Sequence, residues 1–280
     1  MFPVLFSIGP FSLNTFPLVI LLSLICAAAV VWRRAREDDL EFDDVLDISI
    51  VFLISGLLGG RFLEIIFSLN RFLGESFAFF TFWSHPGFSI WGVLSGGFLG
   101  AYFILRRKRL GVFRFFDYLA CGLSFAIPII FLGYILSGIY YGAETSWFWG
   151  VSTPQAFGKR QPVALFGLIL TICLLVLILR LSRRSHAPGF FFFLWISGFS
   201  LSSFFLEFLR GDSFSPERKI ANLVTSLIFF IGSTMLFYIR LHRSPREDFG
   251  RVFEKSTVFL ESLGKISREF LTKIKRLPKI

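Results

Sequence analysis

The chain has 280 residues, of which 54% are hydrophobic and only 17% charged, and its mean hydropathy is +0.69. A soluble fold of this length has no interior for so much apolar surface, so the composition excludes an ordinary globular domain and points to a membrane protein. The formal charge of +10 would suggest a nucleic-acid partner if the basic residues formed a surface, but they fall in short clusters between apolar runs, which is a topology signal. Cys26, Cys121 and Cys173 all lie inside apolar stretches without metal-ligand spacing and read as small buried hydrophobes. No disulfide, zinc site or other cofactor is expected.

Seven runs are long enough to cross a hydrocarbon core of about 30 Å as helices. They lie near 14–32, 48–69, 88–105, 115–141, 162–181, 189–209 and 220–240. All are continuously apolar and lack the period-two alternation of barrel strands, so the expected class is all-α: a polytopic membrane protein with seven transmembrane helices. The first run has no basic residues before it and ends at Arg33-Arg34 without a small-residue cleavage site, so it stays as a span. The second contains Arg61 and Glu64, charges that cost about 2.5–3.5 kcal/mol each at a helix centre and therefore face protein, water or a partner. Their i, i+3 spacing allows them to pair with each other; the alternative is that both snorkel to the outer boundary.

Gly92, Gly96 and Gly100 make a stripe on the third run, with Gly97 beside it, where a neighbouring helix can approach the backbone. The fourth run holds Pro128, then Gly133, Tyr134, Ser137 and Gly138, then Tyr140 and Tyr141, and reads as a broken span of the kind that lines a cavity. The sixth ends with Glu207 and Arg210, a second i, i+3 pair. Both charged pairs fall on the same side of the bilayer, which suggests a polar pocket opening there, built by spans two, four and six.

Loop charge sets the orientation. Arg33, Arg34, Arg36, Arg106, Arg107, Lys108, Arg109, Arg114, Arg180, Arg183 and Arg184 are eleven basic residues after spans one, three and five, against six in the alternate loops. The positive-inside rule then places the N-terminus outside and the C-terminus in the cytoplasm. Residues 1–241 form the transmembrane domain and 242–280 a basic tail, in which Val252, Phe259 and Ile266 recur every seven residues. That spacing fits an amphipathic helix on the inner leaflet, or a partner-binding or simply solvated helix.

The three histidines lie in or beside loops, and no phosphate-binding loop, nucleophile elbow or zinc-protease motif occurs. The residues alone therefore lead to a seven-helix membrane protein with an outward polar pocket.

Several segments in chain order carry a resemblance: Phe6-Ser7-Ile8-Gly9-Pro10, Leu58-Gly59-Gly60-Arg61, Gly87-Phe88-Ser89-Ile90-Trp91-Gly92, Asp117, Pro162 with Leu165, and Glu207 with Arg210. Together they resemble the bacterial prolipoprotein diacylglyceryl transferase family over all seven spans. The resemblance implies a multi-pass protein of the bacterial cytoplasmic (inner) membrane. It also implies transfer of the diacylglyceryl group of phosphatidylglycerol to the lipobox cysteine of a preprolipoprotein, with release of glycerol phosphate. That chemistry needs a thiolate, a cation for the leaving phosphate and an acid–base group. By the same resemblance the family histidine falls at Trp91, its span-four arginine at Tyr134 and its asparagine at Ser137. The downstream glutamate falls at Glu144 if one residue is inserted. The span-six tyrosine and arginine fall at Phe199 and Ser203, and an N-terminal histidine and tyrosine at Asn14 and Phe16.

A phenol or a serine hydroxyl cannot replace a bidentate arginine on a phosphate. The catalytic candidates that remain are Glu207, Arg210 and Arg61. The phospholipid-binding candidates are Arg61, Tyr134, Ser137, Arg210 and Trp91, with no metal. Two functions are expected to compete: a divergent transferase, and a catalytically inactive relative that binds phospholipid or prolipoprotein signal peptides. A transporter has least support, since no inverted repeat is visible.

Overall fold

The computed structural model describes residues 4–8, 11–68, 87–153, 156–183, 186–211 and 216–241; the tail reading for 242–280 and the position of His85 lie outside them. Seven α-helices occur among the described residues: α1 (Thr15–Arg36), α2 (Phe42–Phe67), α3 (Ile90–Arg107), α4 (Val112–Ser137), α5 (Val163–Leu181), α6 (Phe190–Leu209) and α7 (Pro216–Arg240). Two short antiparallel hairpins join them, β1 (Val4–Ile8) with β2 (Phe11–Asn14) and β3 (Val151–Thr153) with β4 (Ala156–Arg160). Six of the helices are long and apolar enough to cross a membrane. The exception is α3, which combines a glycine stripe with a closing Arg106-Arg107 pair. The chain divides into one unit, Met1–Thr234, and a second, Met235–Ile280, of which the described part is the end of α7 and Leu241.

Within the first unit α2 packs on α3, α1 on α4, and α4 also against α5 and α6. The α2–α3 seam explains the glycine stripe. A Cβ on Gly92 would stand 2.3 Å from the Gly59 carbonyl oxygen, and one on Gly96 would stand 2.4 Å from that of Ser55. Only hydrogen fits there, so the two backbones touch, as small residues permit between membrane helices.

The fourth run is not broken at Pro128. That residue is buried inside the continuous helix α4, the most enclosed of the six candidate spans. Pro128 has no N–H to donate, and α4 nonetheless runs on unbroken from Val112 to Ser137. The break comes instead at Gly138, whose φ of 72° ends the helix in the left-handed region. Tyr140 and Tyr141 therefore lie beyond the helix.

The helix ends sort into two layers. At one, Arg34 donates to Ser182 Oγ at 3.2 Å, Lys108 meets Asp44 at 2.6 Å and Asp47 at 2.5 Å, and Arg114 grips Asp38, which also accepts from the Tyr118 hydroxyl. Asp117 of α4 caps α6 there, accepting from the backbone N–H of Gly189 at 2.7 Å and of Phe192 at 2.8 Å; a carboxylate suits the positive end of a helix. The basic turns after α1, α3 and α5 thus meet in one layer. The candidate residues lie at the other.

Candidate functional site

The second layer is assembled around α7. Arg61 and Glu64 sit one turn apart near the end of α2, both buried, with relative exposures of 1% and 2%. Glu64 does not take its partner from its own helix: Arg218 of α7 donates to Glu64 Oε2 at 3.0 Å. Arg61 points to the chain entering α3 and donates to the Gly87 carbonyl at 3.3 Å. At Gly87 (φ 154°) a Cβ would stand 2.9 Å from Glu64 Oε1, so a side chain there would press on the carboxylate. Burial makes this pair consequential, because a carboxylate stripped of water needs a charged donor.

The other charged pair forms as its spacing suggests. Arg210 donates to Glu207 Oε2 at 3.0 Å, and Asn222 of α7 approaches Glu207 Oε1 at 3.4 Å. Lys219 donates to the Arg210 carbonyl at 3.2 Å. Since Arg218, Lys219 and Asn222 all belong to the first two turns of α7, that helix joins the Arg61–Glu64 end of α2 to the Glu207–Arg210 end of α6.

Arg210 also lies over the ring of Tyr140, 4.6 Å from its centroid. Tyr140 stacks on Tyr134 at 4.9 Å, and Tyr134 on Phe16 at 4.8 Å. Phe16, Tyr134, Tyr140 and Arg210 therefore form one column running from α1 across the end of α4 to the end of α6. A guanidinium over an aromatic face gains about 0.5–2 kcal/mol, more as water is removed. Backbone bonds hold the column's end: Ala143 N–H donates to the Leu209 carbonyl at 3.1 Å and Gly211 N–H to that of Tyr141 at 3.2 Å.

Trp91, at the start of α3, is 2% exposed and stacks on Phe229 of α7 at 4.9 Å, with Phe199 of α6 at 5.8 Å; Phe199 itself lies parallel to Trp195 at 5.2 Å. This is an apolar plug below the charged layer. Ser137 is buried and donates to the Gly133 carbonyl at 2.6 Å, one turn back in its own helix. Glu144, in the loop that follows α4, is exposed, and its backbone pairs antiparallel with that of Arg160 on β4.

Among the predicted site residues, Arg61, Glu207, Arg210 and Tyr134 share the α7 end of the bundle. Trp91 and Ser137 are near it in the fold, but the bonds and stacks described above tie them to hydrophobic and backbone partners. Tyr140 belongs to the fourth run expected to line a cavity, whereas Arg218, Lys219 and Asn222 are site residues that the sequence reading misses. Arg218 and Lys219 entered only as loop charges, although Arg218 and Asn222 stand at i, i+4 on the first turns of an apolar helix, which places them on one face.

The sequence pattern of the prolipoprotein diacylglyceryl transferase family covers residues 3–239. The chain is similar to phosphatidylglycerol–prolipoprotein diacylglyceryl transferase 2 of Clostridium perfringens, 27% identical over 81% of this chain and 90% of the relative. It is likewise similar to the corresponding transferases of Geobacter sulfurreducens, 29% identical over 83% and 93%, and Staphylococcus aureus, 24% identical over 87% and 91%. The chain belongs to the prolipoprotein diacylglyceryl transferase family and is a multi-pass membrane protein.

Proposed function

We propose that this family member holds phosphatidylglycerol at the α7 end of the bundle, through Arg61 and Arg210, and transfers its diacylglyceryl group to a prolipoprotein cysteine slowly or not at all. The relatives carry phosphatidylglycerol and prolipoprotein in their names. The reaction so named would form a carbon–sulfur bond from the cysteine thiolate to the glyceryl carbon and break the carbon–oxygen bond to phosphate, with glycerol phosphate leaving. A cation meeting the leaving charge, placed before the reaction begins, can supply about 3–4 kcal/mol, or two to three decades of rate.

One observation carries the reading. The positions that resemblance assigns to a family arginine and histidine, Tyr134 and Trp91, are built into aromatic stacks. Charge survives beside them at Arg61, Arg210 and Arg218, arranged with the carboxylates of Glu207 and Glu64. Binding needs only the cations; fast transfer also needs a base and a cation aligned on the leaving oxygen. The favoured reading is therefore a phospholipid-binding relative with its reaction attenuated, the second being a transferase with rearranged catalytic groups in which Glu207 orients Arg210.

The proposal includes seven spans in the bacterial cytoplasmic membrane, with the α7 end outside and the Arg34, Lys108 and Arg114 layer in the cytoplasm. The layered helix ends and the loop charges support that orientation. Reporter fusions after residues 36, 110 and 186 should all read as cytoplasmic, and two external readings would reverse it.

The test of function uses purified protein in phosphatidylglycerol-containing detergent with a lipobox peptide. Thioether product, read by mass spectrometry, should be slow or undetectable, and Tyr134→Arg alone should not restore it. Phospholipid binding should persist in the wild type and weaken in Arg61→Ala and Arg210→Ala. Rapid wild-type turnover would favour the transferase reading; binding indifferent to both alanines would remove the site assignment.

A further inference from the structure

Between α4 and α5 the 138–162 segment carries aromatic side chains that nothing in the site uses. Trp147 and Trp149 stack face to face with centroids 4.6 Å apart, and Phe148 meets the edge of Trp149 at 4.7 Å. The rings are nonetheless open: Phe148 is 87% exposed, Trp147 60%, and Phe157 on β4 97%. Lys159 and Arg160 follow Phe157 on the same strand.

This tip is not a loose loop. Gly150 N–H closes a turn on the Trp147 carbonyl at 3.0 Å, and Thr145 N–H donates to the Lys159 carbonyl at 2.9 Å. Gly142 N–H and Gln161 N–H then lock the two arms of the segment together at 2.9 and 3.0 Å, and Ala143 ties it to Leu209, next to Arg210. A backbone frame thus fixes a preformed aromatic cluster, with two cations beside it, at the level where α4 ends and α5 begins.

We infer that this tip is a membrane-interface anchor: Trp147, Phe148, Trp149 and Phe157 enter the headgroup zone of the bilayer that the helices span, and Lys159 and Arg160 engage the phosphates of anionic lipid. Two facts select this occupant over a protein. The segment leaves and re-enters the bundle at helix ends, where the bilayer boundary lies, and Trp-rich clusters with flanking Lys or Arg match the amphipathic chemistry of that zone. The basic pair is complementary to a negatively charged headgroup layer. Through the Ala143–Leu209 bond, the anchor also sets the depth of Arg210 in the membrane.

The full chain in nanodiscs tests it. Spin labels at Phe148→Cys and Phe157→Cys, with Cys26, Cys121 and Cys173 replaced by Ala, are compared with a label at Asp43→Cys, an exposed position in the opposite layer. The ratio of oxygen to nickel-chelate accessibility should be several-fold higher at 148 and 157 than at 43. It should rise further when phosphatidylglycerol is added to phosphatidylcholine, and Lys159→Gln with Arg160→Gln should abolish that rise. If the cysteine-free background fails to fold, wild-type tryptophan quenching by lipids brominated near the headgroup replaces the labels; the quenching should fall in Trp147→Phe with Trp149→Phe. Water-like accessibility at both positions overturns the proposal. So does a label-to-label dipolar coupling that reports a second copy on this face, or insertion indifferent both to lipid charge and to the basic pair.

Discussion

The two layers of helix ends use the same chemistry at different depths. In the Arg114 layer, charged pairs stitch turns together in water: Arg114 is 62% exposed in its pair with Asp38, and Lys108 spans Asp44 and Asp47 at the surface. In the α7 layer the carboxylates are enclosed, Glu64 at 2% and Glu207 at 6% side-chain exposure, and each is served from another turn or another helix. Exposed pairs are screened and contribute about 0–1 kcal/mol. Enclosed ones have given up hydration, so removing one partner costs several times more. The surface layer can lose a pair and survive, whereas the α7 layer is held by pairs it cannot lose.

The largest expected effect tests that difference directly. Glu64→Ala leaves Arg218 without its carboxylate in a partly buried place and should destabilise the protein by about 3–5 kcal/mol. Unfolding in mixed detergent micelles, followed by near-ultraviolet circular dichroism, is the measurement. The pair Glu64→Leu with Arg218→Met, which removes both charges, should recover most of the loss. A loss below about 1 kcal/mol for Glu64→Ala would mean that the α7 layer is as wet as the other.

Asp117 sharpens the comparison, because it is a buried carboxylate in the otherwise exposed layer. It accepts two backbone N–H groups at the start of α6. Asp117→Ala orphans both donors and should cost about 2–3 kcal/mol by the same unfolding measurement. Were it no worse than a surface pair, burial would not be the variable that separates the layers.

Most of the span pattern was legible because hydropathy reports what lipid tolerates. α5 and α6 match their predicted runs within a residue or two. The misplaced edges have polar causes. α2 begins at Phe42, six residues before its apolar run, since Asp43, Asp44 and Asp47 are polar yet favourable at a helix N-terminus. α7 likewise begins at Pro216, before its apolar run, and takes in Arg218 and Lys219.

In the site, Glu207 with Arg210 followed from i, i+3 spacing on one helix, which sequence displays. Arg218 with Glu64 joins residues far apart in the chain, and no local period encodes it. The column of Phe16, Tyr134, Tyr140 and Arg210 was hidden for the same reason, and because Gly138 turns the chain to bring Tyr140 back onto Tyr134.

At the exposed end of the scale, Arg114→Ala removes the guanidinium that grips Asp38 at 2.9 and 2.6 Å. The geometry is good, but the arginine is mostly in solvent, so the expected loss is about 0.2–1 kcal/mol, and added salt should weaken the wild-type advantage. A loss comparable to that of Glu64→Ala would place Asp38 functionally with the buried carboxylates.

The smallest effect is a dependence on pH carried by Lys108. Its hydrogen bonds to Asp44 and then Asp47 hold its ammonium above the ordinary 10.5, against a minor opposing desolvation. Because the folded value is raised, the folded state keeps the proton longer than the unfolded one. The stabilisation is complete below 10.5 and is lost as pH climbs through the higher folded value. The thermal midpoint of the wild type should therefore exceed that of Lys108→Gln by a small, constant margin from neutral pH to about 10, and the margin should close above that. A margin that stays constant through the alkaline range would show that loss of the lysine proton is not what opens this turn.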